Sequence, residues 1–384
     1  MSASPHLDLY VFVDALGWRI AERYGFLRDL LTYRQPLQTI FGYSSSCDPT
    51  ILTGALPQEH GHFSFFYYNP EESPFRLCRY LQVLPEFLAR RGRVRRLLSR
   101  VLRRYYRITG YFQIYNVPFR YLPLFDYSEK RDIYQPGGIN NGQPTIFDHL
   151  RERGIPFHHS DWHAPEARRL AALTAAVQQA DIRFAYLFLG DLDATLHHHG
   201  VFSPAGEARL RSYERQLREL IALARNHYPE VRVSLFSDHG MTDTLDTCDL
   251  SGRIEALGLR FGEHYVAMYD STMARFWSLD DRARQAIPTA LQQETRGHLL
   301  SSGELAHYGC AFPGAKYGEL FFLMNPGILL CPSFMGARPL AGMHGYAPEH
   351  PDSVATFLSD RPPHPAPQRL DDLYELMKSS AIDH

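Results

Sequence analysis

Three stretches of the chain share one pattern of apolar and polar positions. Leu7 to Val13 is a mostly apolar, partly β-branched run that gives way to Asp14-Ala-Leu-Gly17. Ala185 to Leu189 ends in Gly190-Asp-Leu-Asp193, and Val231 to Phe236 ends in Ser237-Asp-His-Gly240. Short apolar runs bounded by turn residues predict buried strands. Each of these strands delivers acidic or imidazole groups at its C-terminal end, where ligands gather in open α/β sheets. Helical periodicity fills the intervals at Ala167 to Ala180 and Pro204 to Asn226, and a shorter helical pattern runs from Leu370 to Met377. Strand and helix therefore alternate, which predicts an α/β fold with a mainly parallel sheet between helices.

The alternation fades from about Phe63 to Gly138, where aromatics crowd together and arginines cluster. One domain over 1–384 is expected, with residues 63–138 as an inserted cap and 278–310 as a second small insertion. Within the latter, Thr289 to Leu300 follows Pro288 and predicts a helix. In the first insertion, Val94, Leu97, Leu98, Val101, Leu102 and Tyr105 recur at helical spacing, and Arg93, Arg96, Arg100, Arg103, Arg104 and Arg107 take mostly other positions. Two readings of this basic amphipathic helix stand side by side. In one it docks on the body by its apolar stripe. In the other, residues 93–107 meet anionic lipid as a peripheral membrane contact, or steer an anionic substrate.

Composition narrows the class. With 384 residues, 45% hydrophobic and 21% charged, the chain has the makings of a sizeable core and lacks the signature of disorder. A formal charge of -2, with no recognised nucleic-acid module, argues against a nucleic-acid partner. No uninterrupted apolar run reaches the roughly 18 to 20 residues that span a bilayer. The first residues show neither a basic segment nor a small-residue cleavage site, so a cytoplasmic location is expected. Five scattered cysteines without a Cys-x-x-Cys pair predict reduced thiols.

Asp14, Asp193, His197, Asp238, His239 and His344 would together supply three carboxylates and three imidazoles, enough ligands for two divalent ions. The four-residue spacing from Asp193 to His197 can put both on one side of a helical turn. Taken singly, these fragments read as loop or cap residues, and the His197-His198-His199 run reads as solvated.

Their order along the chain says more. Asp14 after the first strand, a hydroxyl-rich segment leading to Thr53-Gly54, Asp193 with His197, Ser237-Asp-His-Gly-Met241 and Met343-His-Gly-Tyr346 together resemble the alkaline phosphatase superfamily. The nearest likeness is to its nucleotide pyrophosphatase/phosphodiesterase branch. The resemblance implies an alkaline-phosphatase-like sheet and one metal held by Asp193, His197 and His344. It implies a second metal held by Asp14, Asp238 and His239, with Ser44 as further ligand and nucleophile, nine residues before Thr53. Zinc is the expected ion, and manganese or iron suits the same N/O ligands. The implied reaction is hydrolysis of a phosphodiester or pyrophosphate through a phosphoseryl intermediate, on a small phosphate ester or a lipid-linked substrate. A phosphoethanolamine-type transferase, a phosphonate hydrolase and a non-catalytic metal-dependent binding protein are the alternatives.

Some residues depart from the pattern. Phosphodiesterases of this kind typically carry Thr as nucleophile and an Asn just past the His-Gly turn, whereas here His60-Gly61 is followed by His62 and the nearest Asn is Asn69. Ser45 and Ser46 compete with Ser44 for the nucleophile's role. Cys47-Asp-Pro49 superficially resembles the sulfatase signature, yet Ile51 stands where that signature has Arg. Asp48, if it faces the site, would disfavour a dianionic monoester. Asp191, His198 and His199 are candidates to orient ligands; Lys316, Tyr317 and Arg338 are candidates for substrate contact. Tyr346 is expected to pack in the core, and Phe63 to Tyr68 either line a pocket for an apolar moiety or form insertion core.

Overall fold

The computed structural model describes residue 4, residues 6–84 and residues 91–382. Residues 85–90, inside the 63–138 segment, and the extreme ends of the 1–384 range lie outside the described residues.

The three predicted strands form the middle of one sheet. His6–Val13 lies between Phe184–Leu189 and Glu230–Phe236 and runs parallel to both. Phe157–His159 extends the sheet in parallel beyond Phe184–Leu189, while Ala355–Ser359 pairs antiparallel with both Glu230–Phe236 and Tyr33–Leu37. The sheet is therefore six-stranded and mainly parallel, as expected from the strand–helix alternation.

Side chains alternate across a strand, and both faces of this one are covered. Leu7, Leu9, Val11 and Val13 pack with residues of Glu166–Gln179 and Pro204–His227 on one face. Tyr10 and Phe12 pack on the other with residues of Ser44–Thr53, Ile146–Glu152 and Asp372–Ile382. The periodic helices of the sequence thus appear within five residues of their expected ends.

A second sheet, antiparallel throughout, runs in the order Tyr265–Tyr269, Met273–Ser278, Leu320–Met324, Gly297–Leu299. Tyr265, Ala267 and Tyr269 face the core of the Leu250–Glu255 and Asp281–Gln292 helices. Val266, Met268 and Trp277 face residues of the 63–138 segment, among them Phe66, Phe75, Ile114 and Phe125.

The helix expected over Thr289 to Leu300 is displaced. It spans Asp281–Gln292, with Pro288 inside it, and Gly297–Leu299 is a strand. Asp280 sets the start, because its side chain accepts the Ala283 N–H at 2.8 Å. Pro288 removes one bond to the Arg284 carbonyl, and Arg284 is exposed, so water can replace it. All five cysteines are free. Among the described residues no helix is long and apolar enough to cross a membrane.

Candidate active site

The parallel strands end on one edge, and each end contributes to one cluster. Asp14 follows Val13, Asp238 and His239 follow Phe236 by way of Ser237, and Asp193 and His197 project from the Asp191–His199 helix that follows Leu189. His344 arrives from the far end of the chain, just after the short strand Gly342–Met343. The six form two groups, Asp193 with His197 and His344, and Asp14 with Asp238 and His239. Within each group the ligand atoms lie within 4.8 Å of one another. The rings of His239 and His344 stack at 3.7 Å and join the two groups.

The imidazoles are oriented from behind. His197 Nδ1 lies 2.8 Å from the Gly342 carbonyl oxygen, and His239 Nδ1 lies 2.9 Å from that of Gly240. A carbonyl can only accept, so both Nδ1 atoms carry the proton and leave Nε2 as the lone-pair donor. His239 Nε2 is 2.9 Å from Asp238 Oδ2, and His197 Nε2 is 3.2 Å from Asp193 Oδ1.

The electrostatics of the cluster call for cations. Burial, together with Asp238, Asp193 and Asp48, holds the Asp14 carboxyl well above the ordinary range. Burial pushes Asp193 up too, but His197, His344 and His239 outweigh it and hold it down. Burial and the neighbouring His239 push His344 well below the usual imidazole range. Asp14 Oδ1, Asp193 Oδ1, Asp238 Oδ2 and His344 Nδ1 are buried without a hydrogen-bond partner. Buried charges are ordinarily paired or bound to metal, so the donor set fits divalent ions.

Ser44 opens the Ser44–Thr53 helix, and its Oγ lies 3.1 Å from His239 Nε2. The neighbouring hydroxyls are engaged elsewhere. Ser45 Oγ donates to the Phe63 carbonyl at 2.8 Å, and Ser46 Oγ donates to that of Tyr43 at 2.9 Å. The first bonds of this turn come from the N–H groups of Ser46 and Cys47 to the Tyr43 carbonyl. The N–H groups of Ser44 and Ser45 precede them, at the positive end of the helix dipole. Gly42 makes the approach possible: its φ is +127°, and a Cβ there would collide with Ser46 Oγ.

A cavity of about 710 Å³ lies over this edge. Asp14, Ser44, Asp193, His197 and His344 form its floor, and Phe65, Tyr111, Tyr115 and Trp162 contribute an aromatic wall. Phe65 stacks on Tyr111 at 5.1 Å and on Tyr115 at 5.8 Å, and the two tyrosine hydroxyls are 2.9 Å apart. Asp48 lines the cavity and is held well above its ordinary pKa by burial, Asp238 and Glu129. Glu129 also lines it, and burial, with Asp132 adding, pushes its carboxyl up to about 8.

The remaining candidates divide. Arg338 lines the cavity, but Tyr317 is fully buried with its hydroxyl donating to the Gly61 carbonyl at 2.9 Å. Lys316 sits over the Tyr67 and Tyr317 rings and is not in the lining. Of Phe63 to Tyr68, Ser64 and Phe65 reach the cavity, and Phe63 and Phe66 are core. Asn69 donates to Glu72 away from the cavity. Asp191 lines the cavity and pairs with Arg209 at 3.5 Å, while His198 and His199 face solvent. Tyr346 is buried and donates to the Ile328 carbonyl, as core packing predicts. Buried Cys47 lies 3.8 Å from the Thr39 hydroxyl. Glu129, Tyr111, Tyr115 and Trp162 escape sequence reading, because they lie in or near an insertion where no periodicity shows which side chains face inward.

Comparison with known proteins agrees with this geometry. Residues 10–346 match the family model for type I phosphodiesterase / nucleotide pyrophosphatase. A 117-residue stretch is 29% identical to human ectonucleotide pyrophosphatase/phosphodiesterase family member 7, covering 29% of this chain and 24% of that protein. The matched stretch thus spans about a quarter of that curated relative. The structure of human ectonucleotide pyrophosphatase/phosphodiesterase 5 superposes with a TM-score of 0.69 at 15% identity, over 97% of this chain and 94% of that one. The murine protein, as an inactive form in complex with AMP, superposes equally well at 16% identity, over 98% and 95%. These structures share the α/β fold. With a family match over nearly the whole chain, and with two candidate metal-binding groups on the sheet edge, the chain belongs to the type I phosphodiesterase / nucleotide pyrophosphatase family of metal-dependent hydrolases.

Proposed function

We propose that this protein hydrolyses a phosphodiester or pyrophosphate through a phosphoseryl intermediate on Ser44, with two divalent ions in its site. The observation that carries the reading is the Ser44 hydroxyl turned to His239 Nε2 at 3.1 Å, beside two candidate ligand groups, while Ser45 and Ser46 bond to backbone carbonyls. Asp193, His197 and His344 would hold one ion, and Asp14, Asp238 and His239, with Ser44, the other. Bound there, such ions favour the serine alkoxide and offset charge on the phosphoryl oxygens. Three imidazoles and three carboxylates suit zinc.

Ser44 Oγ attacks phosphorus and forms an O–P bond as the bond to the leaving oxygen breaks. The leaving alcohol departs and Ser44 retains the phosphoryl group with its second ester; water then attacks that phosphorus, restores the Ser44 hydroxyl and releases the phosphate monoester. The N–H groups at the start of the Ser44 helix receive the non-bridging oxygens. Burial holds the Asp48 and Glu129 carboxyls protonated beyond the ordinary carboxylate range, so they line the cavity as hydrogen-bond donors and add no charge that would repel a phosphate group. The aromatic wall suits a leaving group with a flat or apolar part, and AMP in the murine relative's complex makes a nucleotide the first to try.

The test is turnover of a chromogenic phosphodiester and the matching monoester by metal-loaded protein, beside Ser44→Ala and a chelated sample. Diester cleavage lost in both controls, with the phosphoryl group and its retained ester trapped on Ser44 by acid quench and mass spectrometry, is the expected result. Cleavage of neither ester, or retention of activity in Ser44→Ala, rejects it.

A further inference from the structure

The Gly92–Tyr105 helix is turned inside out relative to its sequence pattern. The apolar stripe predicts that Leu97, Val101 and Tyr105 pack inward, yet they are 56%, 56% and 69% exposed. The buried residues are Arg95 and Ser99. Arg95 Nη1 donates to the Val117 carbonyl at 2.6 Å, and its guanidinium lies 4.0 Å from the Phe119 ring centre. Ser99 Oγ accepts the Ile114 N–H at 3.2 Å. Only Leu98 and Leu102 among the helix's apolar residues join the core.

The outward face therefore has two parts. Leu97, Val101 and Tyr105 stand four residues apart on one line, and Arg93, Arg96, Arg100 and Arg104 are exposed alongside them. Among the described residues no acidic side chain pairs with these four arginines. The neighbouring segment Arg76–Val83 shares the same core through Cys78 and Leu81, and it too exposes apolar side chains: Leu77, Tyr80 and Val83, with Arg76 and Arg79 exposed beside them. Between Ser73 and Phe125 the sequence holds twelve arginines and one acidic residue, Glu86, in a chain whose total charge is -2.

We propose that this face is a peripheral docking surface for an anionic phospholipid bilayer. Arginines beside exposed leucine, valine and tyrosine match the two layers of such a surface, anionic headgroups outside and acyl carbon beneath. A nucleic acid would pair with the arginines but would leave the apolar line in water. Monomeric proteins rarely expose apolar side chains together without a partner for them. The helix leads directly into Gly110 and Tyr111, which line the catalytic cavity.

Flotation of the full-length protein with vesicles of phosphatidylcholine containing about one-third phosphatidylglycerol tests this without reading turnover. The expected result is comigration with these vesicles and not with phosphatidylcholine alone, weakened by added salt. Changing Arg93, Arg96, Arg100 and Arg104 together to Gln should reduce binding more than about tenfold. Leu97→Ser with Val101→Ser should also reduce it, and both variants should keep full activity on a water-soluble diester, which excludes misfolding. Absence of flotation with anionic vesicles overturns the proposal. So does binding to duplex DNA that survives the Leu97/Val101 change, or self-association lost in that variant without any vesicle binding. Each outcome stands whether or not the phosphoseryl mechanism holds.

Discussion

The cavity has two walls of different origin. One is the edge of the main sheet, where Asp14, Asp238 and His239 are fixed by strands buried on both faces. The other comes largely from the 63–138 segment, where Phe65, Tyr111 and Tyr115 are held by ring stacking and a tyrosine–tyrosine hydrogen bond. The first carries buried carboxylate and imidazole atoms without hydrogen-bond partners, and the second offers flat apolar surface with one elevated carboxyl, Glu129. Under the proposed reaction, the contrast gives bond-breaking to the sheet edge and selection of the leaving group to the insertion.

The sharpest way to break that division is to alter each wall separately. Ser44→Ala should lower turnover on the order of 10³-fold or more while metal content stays unchanged. Tyr111→Ala should leave turnover of a small chromogenic diester within a few fold. It should change the ratio of kcat/KM between diesters that differ only in the leaving group. Equal losses on all substrates in both variants would erase the distinction.

Metal removal should act on the sheet edge alone. Loading the apo-protein should raise its stability by about 3–4 kcal/mol for each ion bound, at free metal some 100 to 1,000 times the Kd, read by thermal or urea unfolding. Asp238→Asn should abolish about one ion's share of this increment, and Tyr111→Ala should retain it.

Glu129 gives a smaller effect with a definite sign. Its folded pKa, about 8, lies above the ordinary value of 4.5, so the folded state holds the proton longer than the unfolded one. Its contribution to stability is therefore greatest below the ordinary carboxylate range and declines as pH rises towards about 8. Glu129→Gln should remove that decline and gain on the order of 1–3 kcal/mol over wild type near pH 8, with no gain at pH 4. A constant difference across the pH range would reject this origin. Smallest of all, Asp191→Asn breaks a half-exposed pair with Arg209 and should change stability by less than about 0.5 kcal/mol.

How much was legible depended on periodicity. The parallel strands and the helices over Glu166–Gln179 and Pro204–His227 follow from apolar spacing, because each is decided by the face it buries. That the six candidate ligands would gather at one edge was legible through their places at strand ends and their order. The Asp281–Gln292 helix begins before the expected Thr289 because the Asp280 side chain caps it and the turn at exposed Arg284 tolerates Pro288. The Gly92–Tyr105 helix misled in the opposite way, since spacing reveals a stripe but not which side meets the body.

The sequence by itself determined the α/β class, the strand-end placement of acid and imidazole, and the family pattern, because those depend on local alternation and on residue types at fixed offsets. Tertiary structure alone decided that Ser44, and not Ser45 or Ser46, turns its hydroxyl to His239. It also decided that Glu129 and an aromatic wall cover the site, and that Arg95 is buried while Leu97 is not. The physical reason is common to all three. Which partner a hydroxyl, a ring or a guanidinium finds depends on distant segments brought together by packing, and one-dimensional spacing carries no record of that choice.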